Sequence, residues 1–170
     1  MRRVRYSVAM SLDGYIAGPN GEIDWIITDP EIDFAEMVRQ FDTLLIGRRT
    51  FDVMVKAGRP SMPGMKTIVF SRRLKPEDYP GIAIVKENHA AVVTAMRAES
   101  GKDIWLFGGG SLFRSLAEER LVDSVEVAVI PVIIGGGITL ASNLASYVRL
   151  SLTAHKVYRT GIVSLEYAIK

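Results

Sequence analysis

An apolar run stops abruptly at three glycines in the stretch Asp103-Ile104-Trp105-Leu106-Phe107-Gly108-Gly109-Gly110-Ser111. A second junction of this kind joins Thr43-Leu44-Leu45-Ile46 to Gly47-Arg48-Arg49-Thr50. Each pattern predicts a buried strand that leads through a tight loop into a helix. Such junctions bind the phosphates of nucleotides in open α/β sheets, because the free N–H groups of a helix N-terminus attract anions. Two of them in one short chain predict one extended ligand across the ends of neighbouring strands.

The size and composition indicate one compact soluble domain that spans residues 1–170. Hydrophobic residues make up 48% and charged residues 24% of the chain, which excludes a disordered protein. No apolar run is long enough for a membrane span, and Tyr6–Met10 is too short for a signal peptide. The absence of cysteine excludes disulfides and, with the missing signal, favours the cytoplasm. A net charge of +2 is too small to indicate a nucleic-acid partner.

Strand and helix patterns alternate along most of the chain and predict an α/β fold. The predicted strands of this part are Val4–Met10, Thr43–Ile46, Thr67–Phe70, Ile82–Val85 and Ile104–Phe107. The predicted helices are Pro30–Gln40, Thr50–Val55, His89–Glu99 and Ser111–Glu119. Three β segments follow, at Val122–Ile134, Ser151–Tyr158 and Gly161–Ile169. We therefore expect a mixed sheet in which an α/β body is closed by an antiparallel ribbon.

Several local features carry predictions of their own. Asp29 before Pro30 is a candidate N-cap for the first helix, and Thr50 is expected to cap the second. Asp13 is expected to organise the loop after the first strand rather than to act as a base. Gly135-Gly136-Gly137 lies in the β-rich half, where a bulge or strand connection is favoured over ligand contact.

Arginines follow two of the predicted strands and indicate which nucleotide binds. Arg48 and Arg49 stand beside the first junction, and Ser71-Arg72-Arg73 follow the strand that ends at Phe70. The planar guanidinium suits a phosphate monoester because it donates two parallel, charge-assisted hydrogen bonds. A cofactor without that phosphate is usually held by an acidic residue on its ribose, and neither loop offers an acid directly after its strand. The sequence therefore predicts NADPH rather than NADH.

The order of these motifs resembles one family over nearly the whole chain. The matching segments are Ser11–Gly18, Gly47–Phe51, Phe70–Arg72, Gly108–Leu112, Leu121–Asp123 and Pro131–Gly137. The set is similar to the dihydrofolate reductase-like superfamily, in the branch of the reductase domain of bifunctional riboflavin-biosynthesis proteins and its stand-alone members. The resemblance implies a three-layer α/β/α fold around a mixed, mostly parallel sheet of about eight or nine strands, NADPH binding and a homodimer.

The resemblance also implies roles for individual residues. The adenosine side of NADPH would be held by Arg48, Thr50, Ser71 and Arg72, with Gly47 at the same junction. The pyrophosphate would be held by Gly109, Gly110, Ser111 and Leu112, with Gly108 at the end of the preceding strand. The nicotinamide would be flanked by Ala9, Ile16 and Ala17.

Two departures from the family pattern concern the chemistry. The residue after Asp13-Gly14 is typically basic in the riboflavin-pathway reductase, but here it is Tyr15, so an anion partner for a ribose phosphate is missing. The zinc deaminase chemistry of the bifunctional proteins is not expected, because its metal ligands include cysteine. His89 and His155 have no ligand-like neighbours in the sequence, so no metal is predicted.

The expected reaction is hydride transfer from NADPH to a C=N bond or masked aldehyde of a small heterocycle. In dihydrofolate reductase a carboxylate on the first helix orients the heterocycle, and here Glu31 and Asp33 are the catalytic candidates, with Glu31 favoured by its spacing. Acids in a first helical turn also commonly interact with the helix dipole alone. The expected substrate is a pterin-like or (ribosylamino)pyrimidine heterocycle, as for dihydrofolate reductase or 5-amino-6-(5-phosphoribosylamino)uracil reductase. The alternative is an NADPH-binding sensor or scaffold without turnover.

Overall fold

A mixed eight-stranded sheet organises the protein, and the computed structural model describes all 170 residues. The strands are β1 (Val4–Ser11), β2 (Tyr15–Ala17), β3 (Phe41–Gly47), β4 (Lys66–Phe70), β5 (Ala83–Val85), β6 (Asp103–Gly108), β7 (Ser124–Ile130), β8 (Ile138–Thr139), β9 (Leu150–Val157) and β10 (Val163–Ile169). The helices are α1 (Phe34–Arg39), α2 (Arg48–Lys56), α3 (His89–Ala98) and α4 (Gly110–Glu118). None of these helices combines the length and the apolar character that a membrane span requires.

The sheet has the strand order β5-β4-β3-β6-β1-β7-β10-β9, and β2 pairs with β8 in a separate ribbon. The six strands from β5 to β7 run parallel to their neighbours, whereas β10 runs antiparallel to both β7 and β9. Parallel neighbours need crossover connections, which the helices supply while they cover the sheet. The predicted α/β class, with a mostly parallel sheet and antiparallel C-terminal strands, is confirmed.

Apolar side chains fill both sides of the sheet and produce the three-layer arrangement. On one side α3 and α4 contribute Val93 and Phe113 to the larger core, where they join Val4 and Tyr6 of β1. On the other side α1 and α2 cover a smaller core, which consists of Phe41, Leu44, Ile46, Phe51, Val69 and Trp105. The core position that the apolar run predicts for Trp105 is confirmed, because only 2% of this residue is exposed.

The strands β1, β7 and β10 present a sheet face that is left open. Val4 and Tyr6 point into the larger core, so the alternation along a strand directs Arg5 and Ser7 to the opposite face. Helices α1 and α2 make their main contacts on that side with β3 and β4. A broad cleft therefore opens beside these two helices.

The first helix is shorter than predicted. It begins after Asp33, which is its N-cap and accepts a hydrogen bond from the Glu36 N–H at 2.8 Å. Asp29 is buried instead and accepts hydrogen bonds from the N–H of Glu31 and from the N–H and hydroxyl of Thr160. The prediction of an N-cap at Asp29 is wrong, because this carboxylate ties the segment before α1 to the β9–β10 hairpin.

The second helix begins earlier than predicted. Gly47 is its N-cap and no side chain caps its first turn, so the prediction that Thr50 caps this helix is wrong. Thr50 lies within the first turn, and its hydroxyl faces the glycine loop after β6. A Cβ built on Gly108 would lie 3.4 Å from Thr50 Oγ1. Thr50 therefore packs between the two junctions instead of capping one of them.

The glycine cluster after β7 allows a close approach of two segments. β7 ends at Ile130, before the predicted end at Ile134, and the chain returns through β8 to pair with β2. A Cβ on Gly137 would overlap the carbonyl oxygen of Ala17, so only glycine fits at this position. The strand connection predicted for this cluster is confirmed, whereas the small β2–β8 ribbon had no signal in the sequence.

Candidate functional site

A cleft of about 2340 Å³ runs along the carboxyl ends of β1, β3 and β6 and down the open sheet face. The two glycine junctions lie side by side in it, because β3 and β6 are neighbouring parallel strands with Ile46 opposite Gly108. A Cβ on Gly47 would lie only 3.9 Å from the carbonyl oxygen of Gly108. The neighbouring position that the sequence predicts for the two junctions is confirmed.

Helix α4 presents an uncapped N-terminus to the cleft. Gly109 is its N-cap, and no side chain bonds to the N–H groups of its first turn. Those N–H groups and the helix dipole favour an anion at this position. The peptide bond between Gly108 and Gly109 is cis. A Cβ on Gly110 would lie 2.8 Å from the carbonyl oxygen of Thr139, so this glycine lets α4 pack against the end of β8.

A smaller cavity of about 290 Å³ lies beside the first junction, at the ends of β3 and β4. Its lining residues are Arg48, Phe70, Ser71, Arg72, Arg73 and His89. Arg48 Nη1 lies 2.5 Å from Asp52 Oδ2, which leaves the rest of its guanidinium free of carboxylate partners. Ser71 Oγ accepts hydrogen bonds from the N–H groups of Arg73 and Leu74, at 3.1 Å each. The cavity is basic and rich in donors, so its chemistry suits an anion.

His89 is a lining residue of this cavity that sequence reasoning missed. It is the first residue of α3, and its ring packs edge-on against Phe70 with the ring centroids 4.9 Å apart. β5, which precedes α3, lies beside β4, so the start of α3 falls next to the loop that contains Ser71. A signal was present in the sequence, because the helix after a parallel strand starts at the same sheet edge as its neighbours.

The residues predicted to bind the cofactor line these two cavities, although they are scattered along the chain. Those that line the large cleft are Ala9, Ile16, Ala17, Gly47, Arg48, Thr50, Gly108, Gly109, Gly110, Ser111 and Leu112. Ser71 and Arg72 line the smaller cavity, and Arg48 belongs to both. The two adjoining cavities together therefore collect every residue of this set.

The two predicted catalytic acids lie in different surroundings. Asp33 lines the large cleft and uses one carboxylate oxygen to cap α1. Glu31 is half-exposed and does not line the cleft; its carboxylate lies 3.3 Å from Lys156 Nζ and 4.0 Å from Arg159 Nε. Because Glu31 precedes α1, the helical spacing that favoured it does not apply. Of the two carboxylates, Asp33 is the one placed to contact a ligand in the cleft.

Asp13 organises the loop after β1, as predicted. Its carboxylate accepts hydrogen bonds from the N–H groups of Ile134 and Gly135, at 3.2 and 2.8 Å. A hydrogen bond from Ser11, together with those from Gly135 and Ile134, lowers the pKa of Asp13. The ionised carboxylate therefore fastens the loop after β1 to the segment between β7 and β8.

The open sheet face carries an ion pair at its centre. Arg5 Nε and Nη2 donate to Oε1 and Oε2 of Glu126, at 2.7 and 2.8 Å, and only 12% and 11% of the two side chains are exposed. Arg5 Nη1 also donates to Gln40 and Asp103. Burial alone would lower the pKa of Arg5, but the hydrogen bond and charge of Glu126, with those of Asp103, raise it. Arg5 is therefore charged and fully engaged.

The two ends of the cleft differ in charge. The end beside α2 is lined by the basic side chains of Arg48, Arg49, Lys56 and Arg59 and by one acid, Asp52, which is paired with Arg48. The other end is lined by acidic side chains of the open sheet face and of α1 with the segment before it, namely Glu126, Glu166, Asp29, Asp33 and Glu36. Arg5 is the only basic residue that lines this second end, and it is paired with Glu126. One end thus suits anions, and the other suits hydrogen-bond donors.

Comparison with known proteins gives relatives over the full length of the chain. A sequence model of the RibD C-terminal domain matches residues 2–164. The uncharacterized protein YyaP of Bacillus subtilis is 33% identical, over 98% of this chain and 94% of YyaP.

Solved structures confirm the dihydrofolate reductase-like fold. A candidate riboflavin biosynthesis protein from Shewanella sp. PV-4 superposes with a TM-score of 0.85 at 24% identity, over 100% of this chain and 99% of that one. Dihydrofolate reductase from Enterococcus faecalis, solved in complex with NADP(H), superposes with a TM-score of 0.72 at 20% identity, over 99% and 96% of the two chains. The resemblance read from the ordered motifs is confirmed, and the chain belongs to the RibD C-terminal domain family.

Proposed function

We propose that the protein is an NADPH-dependent reductase that transfers a hydride to a pterin-like or (ribosylamino)pyrimidine heterocycle. One observation carries the proposal: the residues predicted for the cofactor, from Ala9 to Leu112, all line two adjoining cavities. The E. faecalis neighbour, which has the same fold, was solved with NADP(H). The donors and charges in these cavities match the groups that such a dinucleotide presents.

The proposed position of NADPH follows from the fit of its parts to these residues. Its pyrophosphate fits the uncapped N-terminus of α4, where Gly109 brings no side chain against it. Its adenosine phosphate fits the basic cavity of Arg48, Ser71 and Arg72. Its nicotinamide then falls near Ala9, whose small side chain leaves room beside β1. When bound there, the cofactor supplies the hydride.

The chain itself would orient the substrate and keep water from it. Asp33 is the acid that we propose for the substrate contact, because it lines the cleft while Glu31 is engaged with Lys156. One oxygen of Asp33 caps α1, and the other is free to accept a hydrogen bond from an N–H of the heterocycle. The apolar segment around Ile26 and Ile27 lines the same end of the cleft and would limit its contact with solvent.

The charge at the substrate end favours a heterocycle without a phosphate. Arg5 is engaged by Glu126, and Tyr15 stands where the riboflavin-pathway enzyme has a basic residue. A phosphate ester would therefore meet acidic side chains and no free cation in this chain. Amino groups on a pterin-like ring would instead meet acceptors such as Glu166, which lies opposite Glu126 on β10. Among the two substrate types, we propose the pterin-like one.

We further propose that the chain acts as one domain in the cytoplasm and assembles as a homodimer. Its cysteine-free composition suits a reducing compartment. The edge strand β9 carries the exposed apolar side chains of Leu150, Leu152 and Val157, and a long exposed edge of this kind is able to pair with a second chain. The E. faecalis and Shewanella structures support the fold alone, so the exposed edge of β9 is the support for the proposed homodimer.

The test is oxidation of NADPH in the presence of a panel of heterocycles. The loss of cofactor absorbance measures the rate of oxidation. The panel contains dihydropteridines, dihydrofolate, and a ribosylaminopyrimidine with and without its phosphate. The proposal predicts oxidation with at least one member and a preference for the compounds without phosphate. Tight binding of NADPH without oxidation by any member would support the sensor alternative, and failure to bind NADPH would overturn both.

A further inference from the structure

We infer that Trp105 is a positioning residue for hydride transfer, which acts through a hydrogen bond to the backbone of Ser7. The inference rests on the proposed function, because it concerns the segment of β1 beside which we place the nicotinamide. It gives this buried tryptophan a task beyond filling the smaller core. The task is to hold the start of a gap between β1 and β6 that opens into the large cleft.

The strands β1 and β6 separate before either of them ends. They pair only as far as Tyr6 of β1 and Leu106 of β6. β1 then continues beside β7 to Ser11, and β6 continues beside β3 to Gly108. Residues on both sides of the resulting gap line the large cleft, namely Ser7, Val8, Ala9, Phe107 and Gly108. The gap therefore exposes the backbone of two strands to a ligand in the cleft.

A side chain replaces the ladder hydrogen bond at the point where the gap begins. The Arg3 carbonyl accepts the N–H of Ile104 in β6, and every second residue of a strand presents its carbonyl to the same neighbour, so that of Ser7 also faces β6. The backbone of β6 no longer pairs with β1 at this level. The indole N–H of Trp105 donates to the Ser7 carbonyl instead, with 2.9 Å between Nε1 and the oxygen. The indole thus bridges the two strands.

Aromatic neighbours fix the indole in this place. Trp105 is only 2% exposed, and its ring stacks on Phe41 with the ring centroids 5.2 Å apart. Phe107 packs edge-on at 5.0 Å and Phe34 lies tilted at 6.2 Å. Side chains locked by packing can hold other groups in a defined geometry. The N–H of Trp105 therefore fixes the Ser7 backbone rather than following its movements.

The position of β1 matters because hydride transfer depends steeply on distance. Ala9 follows Ser7 by two residues and so faces the same side of the sheet, where we place the nicotinamide. Reacting atoms must approach to roughly 3–3.5 Å, and a displacement of about 1 Å can slow a reaction about a hundredfold. A shift of the backbone at Ser7 would move Ala9 with it. Trp105 thus sets the position of the strand against which the nicotinamide would lie.

The test measures single-turnover oxidation of bound NADPH by the panel heterocycle that wild type reduces fastest. Trp105→Phe keeps an aromatic ring in the core and removes the N–H, so we expect the hydride step to slow by about 10- to 100-fold. The dissociation constant of NADPH should change less than about twofold, because the phosphate-binding residues are untouched and supply the main charge-assisted contacts. Rapid-mixing absorbance measures the hydride step, and cofactor fluorescence measures the dissociation constant.

Two comparisons separate positioning from packing. Trp105→His keeps a ring N–H but places a polar ring among apolar neighbours, so we expect it to melt at a lower temperature than Trp105→Phe and yet to transfer hydride faster. Val93→Ala, in the larger core on the other side of the sheet, is the matched control for lost stability. It should melt at a lower temperature than wild type with a hydride step within about twofold of it. A role in packing alone would order the rates by stability.

The possible outcomes distinguish this inference from the proposed function. If wild type reduces a panel compound and Trp105→Phe matches its hydride step, the inference alone fails. It also fails if Trp105→His is slower than Trp105→Phe, or if Val93→Ala slows the hydride step as much as Trp105→Phe does. If Trp105→His does not fold, the comparison of Trp105→Phe with Val93→Ala decides. Absence of hydride transfer from wild type to every panel compound would overturn the proposed function and this inference with it.

Discussion

Individual side chains determine which dinucleotide the cleft accepts. Arg48, Ser71 and Arg72 face one cavity, although they follow two different strands, and a ribose that lacks its phosphate offers the two arginines hydroxyl groups but no anionic acceptor. A hydrogen bond to a charged group contributes about 1.5–3 kcal/mol, which is more than an exposed ion pair of the same atoms gives. Selectivity for NADPH would therefore depend on a few contacts that can be removed one at a time.

Substitution of either arginine should reduce the preference for NADPH. We expect Arg48→Ala and Arg72→Ala each to weaken NADPH binding about tenfold and NADH binding less than about threefold, because only NADPH loses a phosphate contact. Arg3→Ala, an exposed arginine outside both cavities, serves as the control. Equilibrium titrations measure both constants. Parallel loss of NADPH and NADH binding in the two variants would contradict the assignment of the phosphate.

The two acids of the segment before α1 should differ in their effect on turnover. Asp33→Asn keeps a good N-cap and removes the charge, so we expect kcat on a confirmed substrate to fall about a hundredfold with α1 intact. Glu31→Gln removes only a half-exposed ion pair with Lys156 and should leave kcat within about twofold. Steady-state kinetics decide between them. Loss of turnover in Glu31→Gln with normal turnover in Asp33→Asn would reverse the assignment.

Asp29 should make stability depend on pH in the acidic range. The hydrogen bond from the Glu31 N–H, with those from Thr160, lowers the pKa of Asp29 below its ordinary value of about 3.9. The folded protein thus favours the ionised form of Asp29. The resulting contribution to stability is fully present above the ordinary pKa and is lost as the pH falls through the lowered pKa.

Thermal unfolding measured as a function of pH tests whether the ionised carboxylate of Asp29 stabilises the fold. At neutral pH, Asp29→Asn should melt at a lower temperature than wild type, and the difference should shrink as the pH falls below about 4. Asp24→Asn, an exposed acid of the same segment, should match wild type throughout. A difference between Asp29→Asn and wild type that stays constant down to strongly acidic pH would contradict the role of the ionised form.

The packing of helix α4 depends on Gly110, the first residue of this helix. Gly110→Ala would place a Cβ 2.8 Å from the carbonyl oxygen of Thr139, and we expect the free energy of unfolding to fall by about 1–3 kcal/mol. A Cβ on Gly136 would meet open space, so Gly136→Ala should change stability by less than about 0.5 kcal/mol. Denaturant titration measures both values. Equal stability of the two variants would show that α4 does not pack as described.

Sequence patterns predicted those elements whose signals are local. α3, α4 and the parallel strands were predicted to within a few residues, because apolar periodicity is visible inside each segment. The start of α1 was missed because Asp29 bonds to Thr160, which is 131 residues away in the chain. The ribbon of β2 and β8 was missed because strands of three and two residues have no periodicity to detect. His89 was missed for a different reason: it starts the helix after β5 and so lies at the same edge as the loop after β4, but placing it beside Ser71 also requires that β4 and β5 be neighbours in the sheet.

Assembly of the whole molecule should depend on the edge strand β9. We expect the protein to sediment as a homodimer and Leu152→Glu to shift it to monomer, because 53% of Leu152 is exposed on this edge and a charge there would be buried by a partner. Leu12→Glu, at a residue that is 63% exposed in a loop away from β9, is the matched control. Analytical ultracentrifugation measures the mass. A wild-type monomer at all concentrations would contradict the proposed homodimer.

The cleft as a whole joins a basic edge for a dinucleotide to an acidic end for a donor-rich heterocycle. A crystal structure of the protein with NADPH tests this arrangement most directly. We predict density for the pyrophosphate at the N-terminus of α4, for the adenosine phosphate between Arg48, Ser71 and Arg72, and for the nicotinamide beside Ala9. Density for the nucleotide elsewhere on the surface, or with its adenosine phosphate outside the basic cavity, would contradict the account.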